Sequence, residues 1–245
     1  MSALLTLSFL FFMGSVSGWV IELIFRRFFS SANPERRWIN PGVCIGPYIP
    51  LYGIGLCVLY LIVSLESHFT LGSVFWTRAL LFTAGAISMT VIEYMVGLMS
   101  LKVLHVRLWD YRSQPGNIQG LICPKFSLCW AVLVAVYYFA IHPYILDSIE
   151  WLSRNLAFSF VIGFFYGVFI IDLVHSAGLV AKLRNYAREN DVVVRYEALK
   201  SHILAEAQKA HEKVSFINPF KSSRDLAEHL HEMREDFEER AKKRG

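Results

Sequence analysis

Five apolar stretches, each about as long as a helix needs to cross a bilayer, constrain this chain more than any other feature. They occupy residues 3–25, 48–65, 80–100, 126–146 and 156–174, with charged or Pro/Gly-containing loops between them. Crossing about 30 Å of hydrocarbon takes about 20 residues of helix, because a helix satisfies its own backbone where no water can. The expected fold is therefore all-α: a polytopic membrane bundle of about five transmembrane helices over 1–178, followed by a helical cytoplasmic tail over 179–245. Composition agrees. With 55% apolar and only 18% charged side chains and a mean hydropathy of +0.42, the chain is too apolar for an ordinary soluble domain. The first stretch is read as a span and not as a cleaved leader, since no charged side chain precedes it and no small-residue cleavage site follows it.

Basic residues give the orientation. Arg26, Arg27, Arg36 and Arg37 follow the first span, and Lys102, Arg107, Arg112 and Lys125 lie between the third and fourth, whereas the alternate loops hold only Arg78 and Arg154. By the positive-inside rule the N-terminus lies outside the cell membrane and the C-terminus in the cytoplasm. Trp76 and Trp151 then fall near the outer boundary, and Trp38 and Trp109 near the inner one. Cys44, Cys57, Cys123 and Cys129 sit in spans or on the cytoplasmic side, so no disulfide is expected.

Within this frame the unusual residues collect at one depth. Glu22, Glu93 and Asp172 lie toward the cytoplasmic ends of the three odd-numbered spans; Glu22 and Asp172 are about 5 Å from the span ends and Glu93 about 10 Å. A carboxylate in hydrocarbon costs about 2.5 to 3.5 kcal/mol and survives by facing a bundle interior, a partner or water. Glu22 has two readings, a pair with Arg26 four residues on or a place in a polar interior. The entrance to the second span, from Asn40, Pro41 and Gly42 through Gly46, Pro47, Pro50, Tyr52 and Gly53, has three prolines and three glycines. No straight helix tolerates that density, and unwound backbone at membrane depth is tolerated only inside protein or beside water. A counterpart runs through Trp109, Asp110, Tyr111, Asn117, Gly120, Cys123 and Pro124. These loops read either as capped surface turns or as a vestibule that binds something.

Asn40 to Asn117 and Pro47 to Pro124 share an offset of 77, while Val20-Ile21-Glu22 and Val91-Ile92-Glu93 are offset by 71. A loop insertion of about six residues reconciles the two, so an internal repeat of 1–73 and 74–150 is one reading, and a chance recurrence of a common tripeptide is the other.

Taken as a set, Gly18-Trp19 with Glu22, Pro41-Gly42 with Gly46-Pro47, Pro50-Leu51-Tyr52-Gly53, Ile92-Glu93-Tyr94, Trp109-Asp110-Tyr111, and Asn117-Ile118-Gln119-Gly120 with Cys123 resemble the "ABC-transporter type IV" family of small integral membrane proteins. The resemblance covers roughly residues 15 to 140 and implies, by the family's label, a permease-like chain with a separate ATPase partner. The chain departs from it at Pro41-Gly42, where the family commonly has Arg-Gly.

The tail is expected to be helical over 182–213, where Ala, Leu, Glu and Lys dominate and Pro and Gly are absent. A break follows at 216–220, and Ser222 with Asp225 resembles a helix start. Leu226, Leu230, Met233 and Phe237 then form one apolar stripe that wants a partner, with self-association or another subunit preferred. Twelve acids offset the 14 Lys and Arg of the last 65 residues, which argues against a purely electrostatic lipid anchor. Membrane lipid surrounds the spans, and no nucleic-acid partner is expected.

No phosphate-binding Gly-x4-Gly-Lys-Ser/Thr loop is present, so any ATP coupling comes from another chain. No cofactor is expected, and no metal. Asp172 and His175, three apart on the fifth span, form with Glu93 and His105 only a remote candidate for a metal or proton-relay site. Three functions fit: a transport component whose acids Glu22, Glu93, Asp110 and Asp172, with Asn117 and His175, line an inward-facing polar cavity; a membrane enzyme acting on a lipid or isoprenoid headgroup with Asp110, Glu93 and His175 as acid-base candidates; or a scaffold or sensor acting through its tail helices.

Overall fold

In a computed structural model, which describes residues 2–30, 33, 36–68, 71–209, 220 and 225–242, the chain is an α-helical bundle with five helices long and apolar enough to cross a membrane. Helix α1 is Ala3–Phe28, α2 Pro50–Ser64 with a 3-10 turn to Ser67, and α3 Val74–Leu104. The fourth crossing is one path made of α4 (Pro124–Val136), a π-helical turn (Tyr137–Ile141) and α5 (His142–Arg154). The π turn lies just ahead of Pro143, whose ring would collide with a carbonyl four residues back in regular α-helix, so the wider turn accommodates it. Helix α6, Ser159–Glu189, is the fifth crossing. Only 22% to 33% of the most apolar stretch of each crossing is buried within the chain. Leu128, Phe160, Phe164, Ile171 and Val174 all point outward. A surface this apolar suits lipid.

Helices α1 and α2 approach through glycines. A Cβ at Gly18 would lie 2.2 Å from the Tyr52 ring, and one at Gly14 2.8 Å from the α2 backbone. This small-x3-small stripe allows the close approach that drives helix association when no hydrophobic effect operates in lipid. Further packing comes from Leu10, Leu59, Leu81, Met89, Trp130 and Val134, which knit α1 to α4 together. Phe165 and Phe169 of α6 close on Phe11 and Phe12 of α1.

The segment before α2 is irregular and deep. The amide of Ile49 donates to the Ser15 carbonyl at 2.9 Å, and Ser15 lies 13 residues, about 20 Å of helix, before the end of α1. The loop before α4 dips less: Leu121 and Trp109 lie against Gly97, seven residues or about 10 Å from the end of α3.

Tail and loops meet at the same end of the bundle. A two-residue parallel ladder joins β1 (Val106–Arg107) to β2 (Val194–Arg195), an exception to an otherwise helical chain. Here the expected continuous helix over 182–213 is corrected. Helix α6 stops at Glu189, Asp191 takes a left-handed φ of 50°, and α7 begins afresh as Tyr196–Lys209. Asn190 and Asp191 favour turns, and the β-branched Val192-Val193-Val194 run that follows suits an extended strand. Helix α8 is Leu226–Lys242. Residues 216–219 and Ser222 lie outside the described residues, as does the side chain of Phe237. The rest of the stripe has its partner within the chain: Leu226, Leu230 and Met233 pack with Leu183, Ala187, Leu199 and Ile203.

Candidate functional site

Glu22 of α1 and Glu93 of α3 form the polar centre of the bundle, and each receives a tyrosine hydroxyl. Tyr52 donates to Glu22 Oε2 at 3.0 Å, a geometry that requires the ring to lie where Gly18 leaves space. Tyr111, from the loop before α4, donates to Glu93 Oε1 at 3.1 Å and stacks on Phe126 at 4.3 Å. The Tyr52 ring in turn lies 5.1 Å from the Trp130 ring, between the two acids' elements. Burial comes first, and then the charges of Glu93 and Glu22, in holding the Tyr111 phenol well above its usual range. It therefore remains a hydrogen-bond donor at any physiological pH.

The two acids differ in their countercharge. Glu22 accepts from Arg26 Nε at 2.9 Å, and the same guanidinium reaches Glu197 of α7 through Nη1. The structure contains the pair of Glu22 with Arg26, extended by one more carboxylate from the tail. Glu93 is 4% exposed, and among the described residues no cation pairs with it. Its Oε2 meets no donor at hydrogen-bonding geometry, although the Trp130 indole is close enough to interact.

Other polar residues singled out in the sequence hold the loops. Asn40 donates to the carbonyls of Cys44 (2.9 Å) and Ile45 (3.0 Å), while its oxygen accepts from Gly42 N (3.2 Å) and Trp19 Nε1 (2.9 Å). Asp172 accepts from the amides of Ile45 (3.0 Å) and Gly46 (2.7 Å), the hydroxyl of Tyr48 and Ser176 Oγ. Lys200 of α7 donates to the carbonyls of Asn40 (2.9 Å) and Gly42 (2.5 Å), with its ammonium 4.6 Å from the Tyr196 ring. Backbone that would be intolerable at this depth is thus satisfied group by group. Burial, followed by the positive charge of Arg26, lowers Lys200 to about 7. Pro47 and Pro50 lead into α2, and Gly53 lets α2 meet Ser15 and Phe11 of α1.

The second loop repeats the device with different groups. Asn117 donates to Gln114 O at 2.8 Å and accepts from Gly120 N at 2.9 Å. Trp109 Nε1 donates to Leu121 O at 2.8 Å and Arg107 to Gln119 O at 3.0 Å. Gly120 has φ 68°, and a Cβ there would lie 2.4 Å from Arg112 Cγ. Cys123 is buried just before Pro124, the first residue of α4. Asp110 is tied to Arg112 and lies near Arg107 and Arg195. Partial burial resists its ionisation, but the Arg112 hydrogen bonds and the charges of Arg112 and Arg107 outweigh that and hold it below the usual carboxylate range.

Glu22 and Glu93 are thus brought together, whereas Asn40, Asn117 and Asp172 serve the loops. His175 is exposed on α6. Among the described residues, no metal-capable trio contains Asp172, His175, Glu93 or His105. An open groove of about 450 Å³ lies at the other end of the bundle, lined by apolar groups such as Phe9, Phe12 and Trp151, away from the polar centre. Lys200 and Glu197 escaped the sequence reading, since each lies in a helical tail whose charges alternate without a distinguishing pattern. The Gly14-x3-Gly18 spacing was a legible signal for where Tyr52 packs.

Five apolar crossings with polar loops folded back among them define a multi-pass α-helical membrane protein. The chain belongs to the family described as "Putative ABC-transporter type IV", which matches residues 9–177. No curated protein and no solved structure matches it.

Proposed function

We propose that this protein is the permease-like membrane component of a transport assembly whose ATPase is a separate chain, with Glu93 as the working acid of an inward-facing polar centre. The observation that carries this reading is Arg26. One guanidinium bridges Glu22 inside the bundle and Glu197 on the tail helix α7, so a partner that shifts α7 changes the charge balance beside Glu93. The family's description and the lack of a phosphate-binding loop in this chain agree with a borrowed ATPase.

In this reading the protein resides in the cell membrane with its N-terminus outside and its C-terminus in the cytoplasm, as the eight basic residues at one end against two at the other favour. The α1–α2 and α3–α4 pairs are two copies of one unit. Support comes from the paired devices: an acid receiving a tyrosine, and a loop folded around an asparagine side chain.

Affinity purification of the full chain in mild detergent, followed by mass spectrometry, tests the assembly. A nucleotide-binding subunit should co-purify with the wild type and with Glu93→Gln, and be lost on deletion beyond residue 195, which removes α7. Glu93→Gln should lower the partner's stimulated ATPase turnover, because it removes the acid on which the polar centre depends. Repeated recovery of the intact chain without any nucleotide-binding subunit would overturn the reading.

A further inference from the structure

The tail contains a second cluster that the transport reading does not use. His202 of α7 and His229 and Glu232 of α8 each offer one ligand atom, and the three atoms lie within 4.8 Å of one another. His202 Nε2 and Glu232 Oε2 are 3.4 Å apart, and the two imidazole rings meet nearly edge to face at 5.6 Å. His229 and Glu232 are three residues apart, which on a helix makes them neighbours on one face. His229 is 2% exposed, and Leu230 beside it is part of the apolar contact that seats α8. Packing therefore sets the helix that supplies two of the donors.

We propose that His202, His229 and Glu232 form a binding site for a divalent transition-metal ion of the zinc type that staples α8 to α7. The donor set of two imidazoles and a carboxylate suits zinc and its neighbours, whereas calcium and magnesium prefer all-oxygen shells. Zinc–ligand bonds of about 2.0 to 2.1 Å in a tetrahedron put donors about 3.3 Å apart. One pair already has that spacing, and contraction by about 1.5 Å at the widest pair brings in the third, within reach of side-chain rotation. With three protein donors, water would complete the shell. The sequence gives no warning of this site: the three ligands come from two helices and match no metal-binding spacing, which is why no metal was expected.

The test uses the full chain, purified in detergent through a histidine-free tag, stripped with chelator and titrated with Zn²⁺ or Co²⁺ alone. One equivalent of Co²⁺ should bind with the intense visible bands of a four-coordinate site, and Zn²⁺ should displace it and raise the melting temperature by mass action. His202→Gln, His229→Gln and Glu232→Gln should each weaken binding by about tenfold or more, while His231→Gln and His175→Gln leave it unchanged. Glu232 is at the surface, so its variant keeps the fold and reports on the site even where loss of His229 unseats α8. Binding by the wild type no stronger than by the triple variant overturns the proposal, as does binding that survives all three single changes. Because the readouts are metal stoichiometry and spectrum, failure here leaves the transport reading intact, and failure of that reading leaves this site intact.

Discussion

Glu22 and Glu93 are the same residue type on two helices that both pack on α2, each receiving one tyrosine hydroxyl, yet they have different electrostatic environments. Glu22 shares an arginine with a carboxylate from the tail. Among the described residues, Glu93 has only Tyr111 at hydrogen-bonding geometry, and its other oxygen is buried near the Trp130 indole. A paired acid in a membrane bundle is part of the architecture. An unpaired one costs stability and persists where something is gained by keeping it, which is why Glu93 and not Glu22 is proposed as the working acid.

The contrast is easiest to break at Arg26. Arg26→Gln should lower the stability of the full chain by about 3 kcal/mol, measured by thermal or denaturant unfolding in detergent, because it strands two carboxylates that are both mostly buried. A loss below about 1 kcal/mol would mean that the bridge is solvated and that Glu22 differs from Glu93 in burial and not in countercharge. Next is Gly18→Ala, expected to cost about 2 to 3 kcal/mol, since the added methyl enters the space of the Tyr52 ring. If Gly18→Ala were neutral, Tyr52 would not depend on that gap to reach Glu22.

The tyrosines sharpen the comparison. Tyr111→Phe should cost about 2 kcal/mol because it removes a donor from a carboxylate that has no cation, whereas Tyr52→Phe, which leaves Glu22 with Arg26, should cost about 1 kcal/mol. Equal losses would show that the countercharge makes no difference. Glu93→Gln should raise stability by about 1 kcal/mol while lowering turnover, since it removes an uncompensated buried charge.

A further prediction concerns pH. Lys200 is lowered to about 7 by burial and then by Arg26, against about 10.4 for a free lysine. Between those values the unfolded chain binds a proton that the folded chain does not, so stability from this group rises from about pH 7 to about pH 10.4 and is flat below. Melting curves of Lys200→Met should lack that rise. An unchanged pH profile would place the Lys200 amine in contact with water.

Much of the fold was legible from local chemistry. Runs of apolar residues announce their own crossing, and the dense Pro and Gly before α2 announce unwound backbone, because both effects act within a few residues. The candidate site was legible only in part. Glu93 stood out as a carboxylate deep in a span, but nothing near it in the chain identified Tyr111 as its donor. Asp172 looked similar to Glu93, yet its oxygens are taken by the amides of Ile45 and Gly46, more than 120 residues earlier. The tail misled in the opposite sense. High helix propensity over 182–213 suggested one rod, but Asn190, Asp191 and the valines after them turn the chain so that β2 can pair with β1.

By itself, then, the sequence determined that this protein is a five-crossing helical membrane bundle with polar loops, since the transfer of about 20 successive side chains into lipid depends on their identity and not on their neighbours in space. Tertiary structure alone decided that Arg26 also reaches the tail, which lysine is buried under the loop and which histidines face one another. Those outcomes depend on contacts between residues tens to more than a hundred positions apart, and only packing brings them within the few ångströms over which hydrogen bonds and ion pairs act.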